Sequence, residues 1–339
     1  MVTGRGLDVL RAIVTDYVAS REPVGSKSIV ERHSFGVSAA TIRNDMAQLE
    51  EEELIVAPHT SSGRVPTDKG YRVFVDQLAD LRPLSPAQRQ AIETFLGNSA
   101  DLDDVLARTV RLLSQLTNQV ALVQYPSLSR ARVRHVELVP LSDSRLLSVL
   151  ITDTGHVEQR VLEVQGLDPE VLAELRARLN TALGGQTMAD AAATLRSFAE
   201  SVAPERRELV AALVGALVEQ LAANRHERLV MAGTANLVRT ERDFSGSIYP
   251  VLEAIEEQVT LLRLFAEMEP DERGVSASIG RENASFGLPE TSVVISGYGS
   301  PGGELARVGV LGPTRMDYSN NMAAVRAVAR YLTRLLGED

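Results

Sequence analysis

Apolar residues recur at helical spacing from the start of the chain. Leu7, Leu10, Val14, Tyr17 and Val18 share one face, which predicts an amphipathic helix ending near Ser20. Pro23 and Gly25 break it, and Ser26 is the expected cap of a short second helix reaching about Arg32. Residues 33–37 form a turn in which Gly36 can take a positive φ. Ser38 then caps a third helix running to about Glu53. Short alternation and turn residues predict a strand at 54–57, a turn at 58–63 and a return strand at 64–66. Thr67 starts a further helix carrying Tyr71, Phe74, Val75 and Leu78.

Pro83 and Pro86 mark residues 81–86 as a linker. The pattern beyond it gives helices at 86–96 and 102–118, then strands at 120–124, 134–139, 145–152 and 157–164. Helices follow at 169–183, 189–202 and 206–224, then a strand at 228–232 and a helix at 250–267. The chain closes with strands at 275–279, 292–298 and 306–311, a Gly/Pro turn at 299–303 and a helix at 319–336. A helix-rich stretch of about 166–245 thus interrupts a sheet-forming region. The expected architecture is a multidomain α+β protein with an insertion. Its expected parts are residues 1–82, a linker and connecting helix at 83–100, one domain made of 101–163 and 246–339, and an inserted domain at 164–245. Within the insert, residues 209–221 (LVAALVGALVEQL) are apolar on nearly every side. A helix needs that only when covered all round, in a core or at a subunit contact. Its 13 residues are too few to cross a bilayer.

The third helix carries the candidate chemistry. Ile42, Met46 and Leu49, with Ala39 beside them, form its apolar face. Ala40, Asn44, Ala47 and Gln48 point the other way, flanked by Thr41 and Arg43. Small residues mixed with amides suit entry into a DNA major groove, where close approach and base-edge pairing are both required. Asn44 suits adenine, Arg43 a guanine or a phosphate, and Thr41 a phosphate or a thymine methyl. Ser38, at the helix start, suits a phosphate. A plain solvated face is the alternative for such a helix alone. The hairpin that follows, with His59 in its turn and Arg64 at its edge, shifts the balance towards a winged helix-turn-helix. Lys27 and Lys69 complete the expected contacts to double-stranded DNA. Glu50–Glu53 fit this reading worst, because helix C-termini and phosphates both disfavour carboxylates. They are expected to form a solvated helix end away from the duplex.

Charge and composition restrain the reading. The net charge is −10, and residues 1–82 carry ten Lys or Arg against twelve Asp or Glu. Overall charge does not report on any one face, but it predicts modest nonspecific affinity and a specificity that leans on base contacts and dimer symmetry. There are no cysteines, which excludes disulfides, thiolate metal sites and thiol nucleophiles. Charges among residues 1–11 argue against a secretory signal, in keeping with the cytoplasm.

The strings PVGSKSIVERHSFGVSAATIRNDMAQLE and HTSSGRVPTDKGYRVFVD closely resemble the N-terminal domain of the HrcA family, heat-inducible transcription repressors of bacteria. VGVLGPTRMDYSNNMAAV is similar to that family's closing signature, and AGTANL at 232–237 to a shorter internal one. The resemblance implies a winged helix, a GAF-like domain, and a dimerisation domain inserted into the latter. It further implies a homodimer on an inverted-repeat operator of the CIRCE type upstream of chaperone operons. A GroEL-type chaperonin would support activity, and heat would titrate that chaperonin away.

Other motifs carry less. The glycine-rich 297–303 lacks a Gly-Lys-Ser/Thr continuation and reads as a hairpin connection rather than a phosphate loop. The histidines (His33, His59, His135, His156, His226) lack metal-ligand spacing. No carboxylate pair is marked out as acid and base, and Ser285 and Ser292 have no His–Asp partners in sequence. Neither catalysis nor a cofactor is expected. At residues 314–318, an Arg315–Asp317 contact locking a corner is expected, with Asp317 or Ser319 capping the last helix. An effector or partner-subunit site there is the alternative. Control by a small ligand in the GAF-like domain, or an enzyme tethered to a DNA-binding domain, are the competing functional readings.

Overall fold

The computed structural model describes residues 4–59, 62–78, 85–96, 102–126, 131–153, 155, 157–164, 167–200, 206–223, 228–244, 246–271, 274–299 and 305–337. Residues 81–84 of the expected 81–86 linker, most of the 299–303 turn, His156 and His226 lie outside these residues.

Helix α1 (Gly4–Ser20) buries Val9, Leu10, Ile13 and Val14 against α2 (Ser26–Arg32) and α3 (Ala39–Glu51). Gly25 occupies the N-cap of α2, where Ser26 was expected, and no side chain caps it. Ser38 caps α3, accepting from the Thr41 amide at 3.2 Å. The hairpin β1 (Ile55–Val56) and β2 (Val65–Pro66) is antiparallel, with Val56 opposite Val65. Val24 adds a third edge: its N–H donates to Arg64 O at 2.9 Å, and Arg64 N–H donates back to Val24 O at 2.8 Å. That approach needs Gly63, because a Cβ there would lie 2.6 Å from the Pro23 and Val24 backbone. Helix α4 (Asp68–Asp76), capped by Thr67, packs on α1 and β2 and completes a winged helix in which Ile29, Ile42, Leu49 and Ile55 are buried.

Two further helices, α5 (Pro86–Leu96) and α6 (Leu102–Thr117), lead into β3 (Val120–Gln124). The next strands, β4 (Val133–Ser142), β5 (Arg145–Thr152) and β6 (Val157–Glu163), form a separate three-stranded antiparallel sheet in that order. Helices α7 (Pro169–Leu183), α8 (Met188–Glu200) and α9 (Arg207–Ala223) share one core with it. Val136, Leu138, Leu146 and Leu150 of the sheet meet Leu175, Leu179, Leu195, Leu213 and Leu217 there. The chain then returns in β7 (Leu229–Ala232), α10 (Ala235–Arg239), α11 (Tyr249–Glu257) and α12 (Val259–Glu267). It closes with β8 (Val275–Ile279), β9 (Thr291–Tyr298), β10 (Ala306–Pro313) and α13 (Tyr318–Gly337). A five-stranded sheet of order β7-β3-β10-β9-β8 forms the GAF-like domain, with Leu237, Phe244, Leu261, Leu264 and Phe265 packed in its core.

Two compact units result: Met1–Val123 with Leu229–Gly297 and Arg307–Tyr331, and Gln124–Arg228 with Tyr298–Ala306 and Leu332–Asp339. The expected boundaries of 164–245 for the insert are therefore displaced. Strands β4–β6 form a sheet of their own and share the core of α7–α9, so they belong to the insert. Leu229, Leu237 and Phe244 pack in the core of the five-stranded domain, so 229–244 do not. Helix α9 lies inside the insert's own core, with Leu213 and Leu217 fully buried. The single helix expected at 250–267 is two, because Gln258 adopts a left-handed φ of 58° between α11 and α12.

The AGTANL segment at 232–237 has a local explanation. Gly233 has φ +87°, and a Cβ there would sit 1.9 Å from Ser114 Oγ. Asn236 Nδ2 donates to the same Ser114 Oγ at 3.0 Å and to Gln119 O at 3.1 Å, stitching the returning chain to the junction of α6 and β3.

Candidate nucleic-acid interface

Helix α3 divides its residues as its period requires. Ile42, Met46 and Leu49 are buried, whereas Ala40, Arg43, Asn44, Ala47 and Gln48 are exposed along the other side. An exposed face of two alanines, two amides and one guanidinium offers close approach together with donors and acceptors for base edges. Thr41 is half-buried, and its hydroxyl lies 3.0 Å from that of Ser38 at the helix start.

The inward side holds a feature that periodicity did not indicate. Asp45 is buried and accepts two bonds from Arg5, at 2.8 and 3.0 Å, fixing α3 against the start of α1. Those bonds to Asp45 raise the Arg5 pKa. Only an acid on an otherwise apolar face hinted at this partnership.

The wing is tied down rather than loose. Arg64 Nε donates to Glu50 Oε2 at 2.9 Å and Nη1 to Ser62 O at 3.2 Å, leaving its side chain 27% exposed. The expectation of a wholly solvated Glu50–Glu53 fails at Glu50, because the hairpin folds back far enough to supply a cation. Helix α3 ends without glycine: Glu53 takes φ 60°, and Leu54 N–H donates to Leu49 O at 2.9 Å. Lys69 Nζ donates to Glu52 O at 2.8 Å, placing positive charge at the negative end of the α3 dipole. His59 is exposed in the turn, which Ser62 closes by donating to His59 O and accepting from His59 N–H. Thr60 and Ser61 lie outside the described residues. Lys27 is 87% exposed on α2, 3.9 Å from Glu31.

The remaining candidates resolve into structural contacts. Ser292 Oγ bonds the Tyr318 hydroxyl at 2.8 Å. His33 bonds Asp16 at 3.0 Å, and His135 bonds Glu137 at 3.2 Å. Among the described residues no cluster of three metal-ligating side chains occurs, and no helix is long and apolar enough to cross a membrane. At the 314–318 corner Asp317 caps the last helix, accepting from Asn320 N–H at 3.0 Å. Arg315 bonds Asp243 rather than the expected Asp317, since Asp317 is committed to that cap.

A family model described as "HrcA protein C terminal domain" matches residues 103–322. A heat-inducible transcription repressor HrcA from Clavibacter michiganensis subsp. michiganensis is 73% identical over the full length of both chains. The protein of the same name from Leifsonia xyli subsp. xyli is 69% identical, again over all of both chains. A crystal structure described only as that of a hypothetical protein covers 99% of each chain with a TM-score of 0.70 at 26% identity. With identity of this extent running from the winged helix through the last signature, the chain belongs to the HrcA family of heat-inducible transcription repressors.

Proposed function

We propose that this repressor reads a double-stranded DNA operator with the exposed face of α3, and does so as a homodimer on a CIRCE-type inverted repeat. The observation that carries the reading is the Ala40, Arg43, Asn44, Ala47 and Gln48 face, presented by a helix whose other side is fixed by Ile42, Asp45 and Leu49. Asn44, Gln48 and Arg43 read bases. Ser38, Thr41, Lys27 and His59 meet phosphates, with Arg64 and Lys69 holding the wing and the end of α3 in place beside them.

A second surface supports the dimer. One face of the β4-β5-β6 sheet is covered by helices, whereas the opposite face presents Val139, Leu147 and Val161 in one cross-strand row. Val149 and Ile151 continue it, with Val157 beside Ile151. Val139, Val157 and Val161 are 39–45% exposed, a chemistry that suits a second copy of the same face.

Control by a GroEL-type chaperonin in the cytoplasm completes the proposal. The sequence has no cysteine to act as a redox trigger, and domain stability of about 5–15 kcal/mol is a quantity that heat and a chaperonin both act on. A reading with a small-ligand effector is favoured by one observation, a cleft of about 730 Å³ bounded by Val14, Val18, Phe74, Leu78 and Met316. The deciding experiment titrates purified repressor with chaperonin at constant temperature and follows occupancy of an inverted-repeat duplex and a scrambled one. Occupancy of the repeat alone should rise, then fall when unfolded protein is added as competitor. Equal binding to both duplexes would end the operator reading, and indifference to chaperonin would end its regulatory half.

A further inference from the structure

We propose that Arg315 and Asp243, with Arg72 and Glu282, are positioning residues that lock the DNA-reading module onto the GAF-like domain and so set the half-site spacing the dimer accepts. The inference rests on the operator reading above and adds a specificity determinant outside the reading head.

The first attachment holds the end of α1. Arg315, only 10% exposed, donates from Nε and Nη2 to the two carboxylate oxygens of Asp243 at 2.9 and 3.0 Å. Its remaining terminal nitrogen, Nη1, donates to Tyr17 O at 3.1 Å and Val18 O at 2.8 Å, carbonyls of the last turn of α1. A cation there is matched to the negative helix end, and the guanidinium carbon lies 5.8 Å from the Tyr17 ring centre. Asp243, itself 5% exposed, also accepts from Arg21 at 3.0 Å, just beyond α1. One carboxylate of the GAF-like domain thus gathers two arginines around a single helix terminus.

The second attachment holds α4. Arg72 Nε donates to Glu282 Oε1 at 2.8 Å, its Nη2 bonds Glu282 Oε2, and Nη2 also donates to Ala277 O at 2.6 Å. One turn away, Asp68 accepts from the Arg281 amide at 2.9 Å. Gly280 makes room for that carboxylate, because a Cβ would fall 2.4 Å from it. Between these attachments the Tyr71 and Tyr318 rings lie 5.6 Å apart.

A module held by one helix end can swing about it. Held by two helices through bidentate ion pairs, of which Arg315–Asp243 is nearly buried and Arg72–Glu282 is partly exposed, it cannot, and planar guanidinium–carboxylate pairs fix orientation as well as distance. In a two-fold protein that orientation matters, because each base pair added between half-sites rotates one of them by roughly 35° relative to the other. A rigid mount therefore converts operator spacing into binding energy, and a loose one tolerates several spacings.

The test uses the full chain, a single half-site duplex, and inverted-repeat duplexes whose central spacer is changed by one or two base pairs. Wild type should lose about tenfold or more in affinity when the spacer departs from its optimum. Asp243→Asn and Glu282→Arg should flatten that profile while leaving half-site affinity within about twofold, since α3 is untouched. The reversal Arg72→Glu with Glu282→Arg should restore at least half of the discrimination on a logarithmic scale. A readout without DNA accompanies it: amide hydrogen exchange in the last turn of α1 should rise in Asp243→Asn. Profiles as steep as wild type, or unchanged exchange, would overturn the lock. So would half-site affinity falling in step with full-operator affinity, the result expected if these residues only maintain the fold. A wild-type chain that binds no duplex, yet shows the exchange difference, would instead overturn the operator reading and confine the lock to structure.

Discussion

Two of the exposed surfaces among the described residues have opposite chemistries. The outer side of α3 presents Arg43, Asn44 and Gln48 on a ground of alanine, and its helix is fixed from behind by Ile42, Leu49 and the Asp45–Arg5 pair. The open side of β4-β5-β6 presents Val139, Leu147, Val149, Ile151, Val157 and Val161, backed by the leucines of α7–α9. Both are rigidly supported, but one offers directional hydrogen bonds and the other only area to remove from water. On the reading proposed above, these two kinds of exposure suit different partners: a polar lattice such as base edges, and an apolar copy of the same face.

The comparison breaks most visibly at the sheet. Val139→Asp combined with Val161→Asp puts unpaired charge at the centre of the proposed contact, where both residues are exposed in a single chain. Sedimentation should give the monomer mass, and affinity for the full operator should fall by about two orders of magnitude or more as avidity is lost. A dimer mass would place the subunit contact elsewhere.

A smaller effect is expected at the helix. Asn44→Ala should cost about 1–3 kcal/mol of discrimination between operator and random duplex without altering mass. Competition binding measures that ratio directly, and an unchanged value would remove Asn44 from the reading face. Lys27→Ala should weaken all duplexes alike by a few-fold and reduce the slope of log affinity against log salt by about one. Lys69→Ala should lower thermal stability as well, because its ammonium sits on the Glu52 carbonyl at the end of α3. The same salt titration and a melting curve separate the two lysines.

The smallest effect concerns the polar rim of the sheet. Glu137 has its pKa lowered, chiefly by the bond from Arg176, against the opposing effect of burial and with help from His135 and the Leu138 amide. Its contribution is therefore complete above the unfolded carboxylate pKa and disappears as pH falls through the lower folded value. Glu137→Gln should cost about 0.2–1 kcal/mol near neutrality, and that difference should shrink in acid. Denaturant midpoints of the two proteins at several pH values test the sign, and a gap that widened in acid would reverse it.

Local order was legible because its causes are local. Ser38 capping α3, the split between Ile42 and Asn44, and the strand at Arg145–Thr152 all follow from residues a few positions apart. What escaped depends on distant partners. Val24 pairs with Arg64 across 40 positions, so a single residue between two helices becomes a strand edge. Arg64 meets Glu50 only once the hairpin has turned. Strands β4–β6 looked like part of one long sheet region, since alternation says which residues face inward but not which strands pair. Gln258 breaks an apolar helical pattern with no glycine or proline to announce it. Arg315 had a nearby carboxylate at Asp317 and chose one 72 positions away, because Asp317 was already capping a helix.

The way the insert joins its host has a consequence for assembly by recombination. The chain leaves the five-stranded sheet after β3 and re-enters in β7, its neighbour there, and Tyr125 N–H donates to Arg228 O at 2.9 Å. Neighbouring strands stand about 4.8 Å apart, a gap that a two-residue turn spans. Exit and entry are thus already in the geometry of an ordinary hairpin, and everything between them is a cassette. Deleting it and closing the hairpin would leave the winged helix with its five-stranded domain, which on the proposed reading is a single-headed reader. Grafting the cassette into a hairpin of an unrelated monomer would carry its exposed valine face along and, on the dimer reading proposed above, make pairing a portable property.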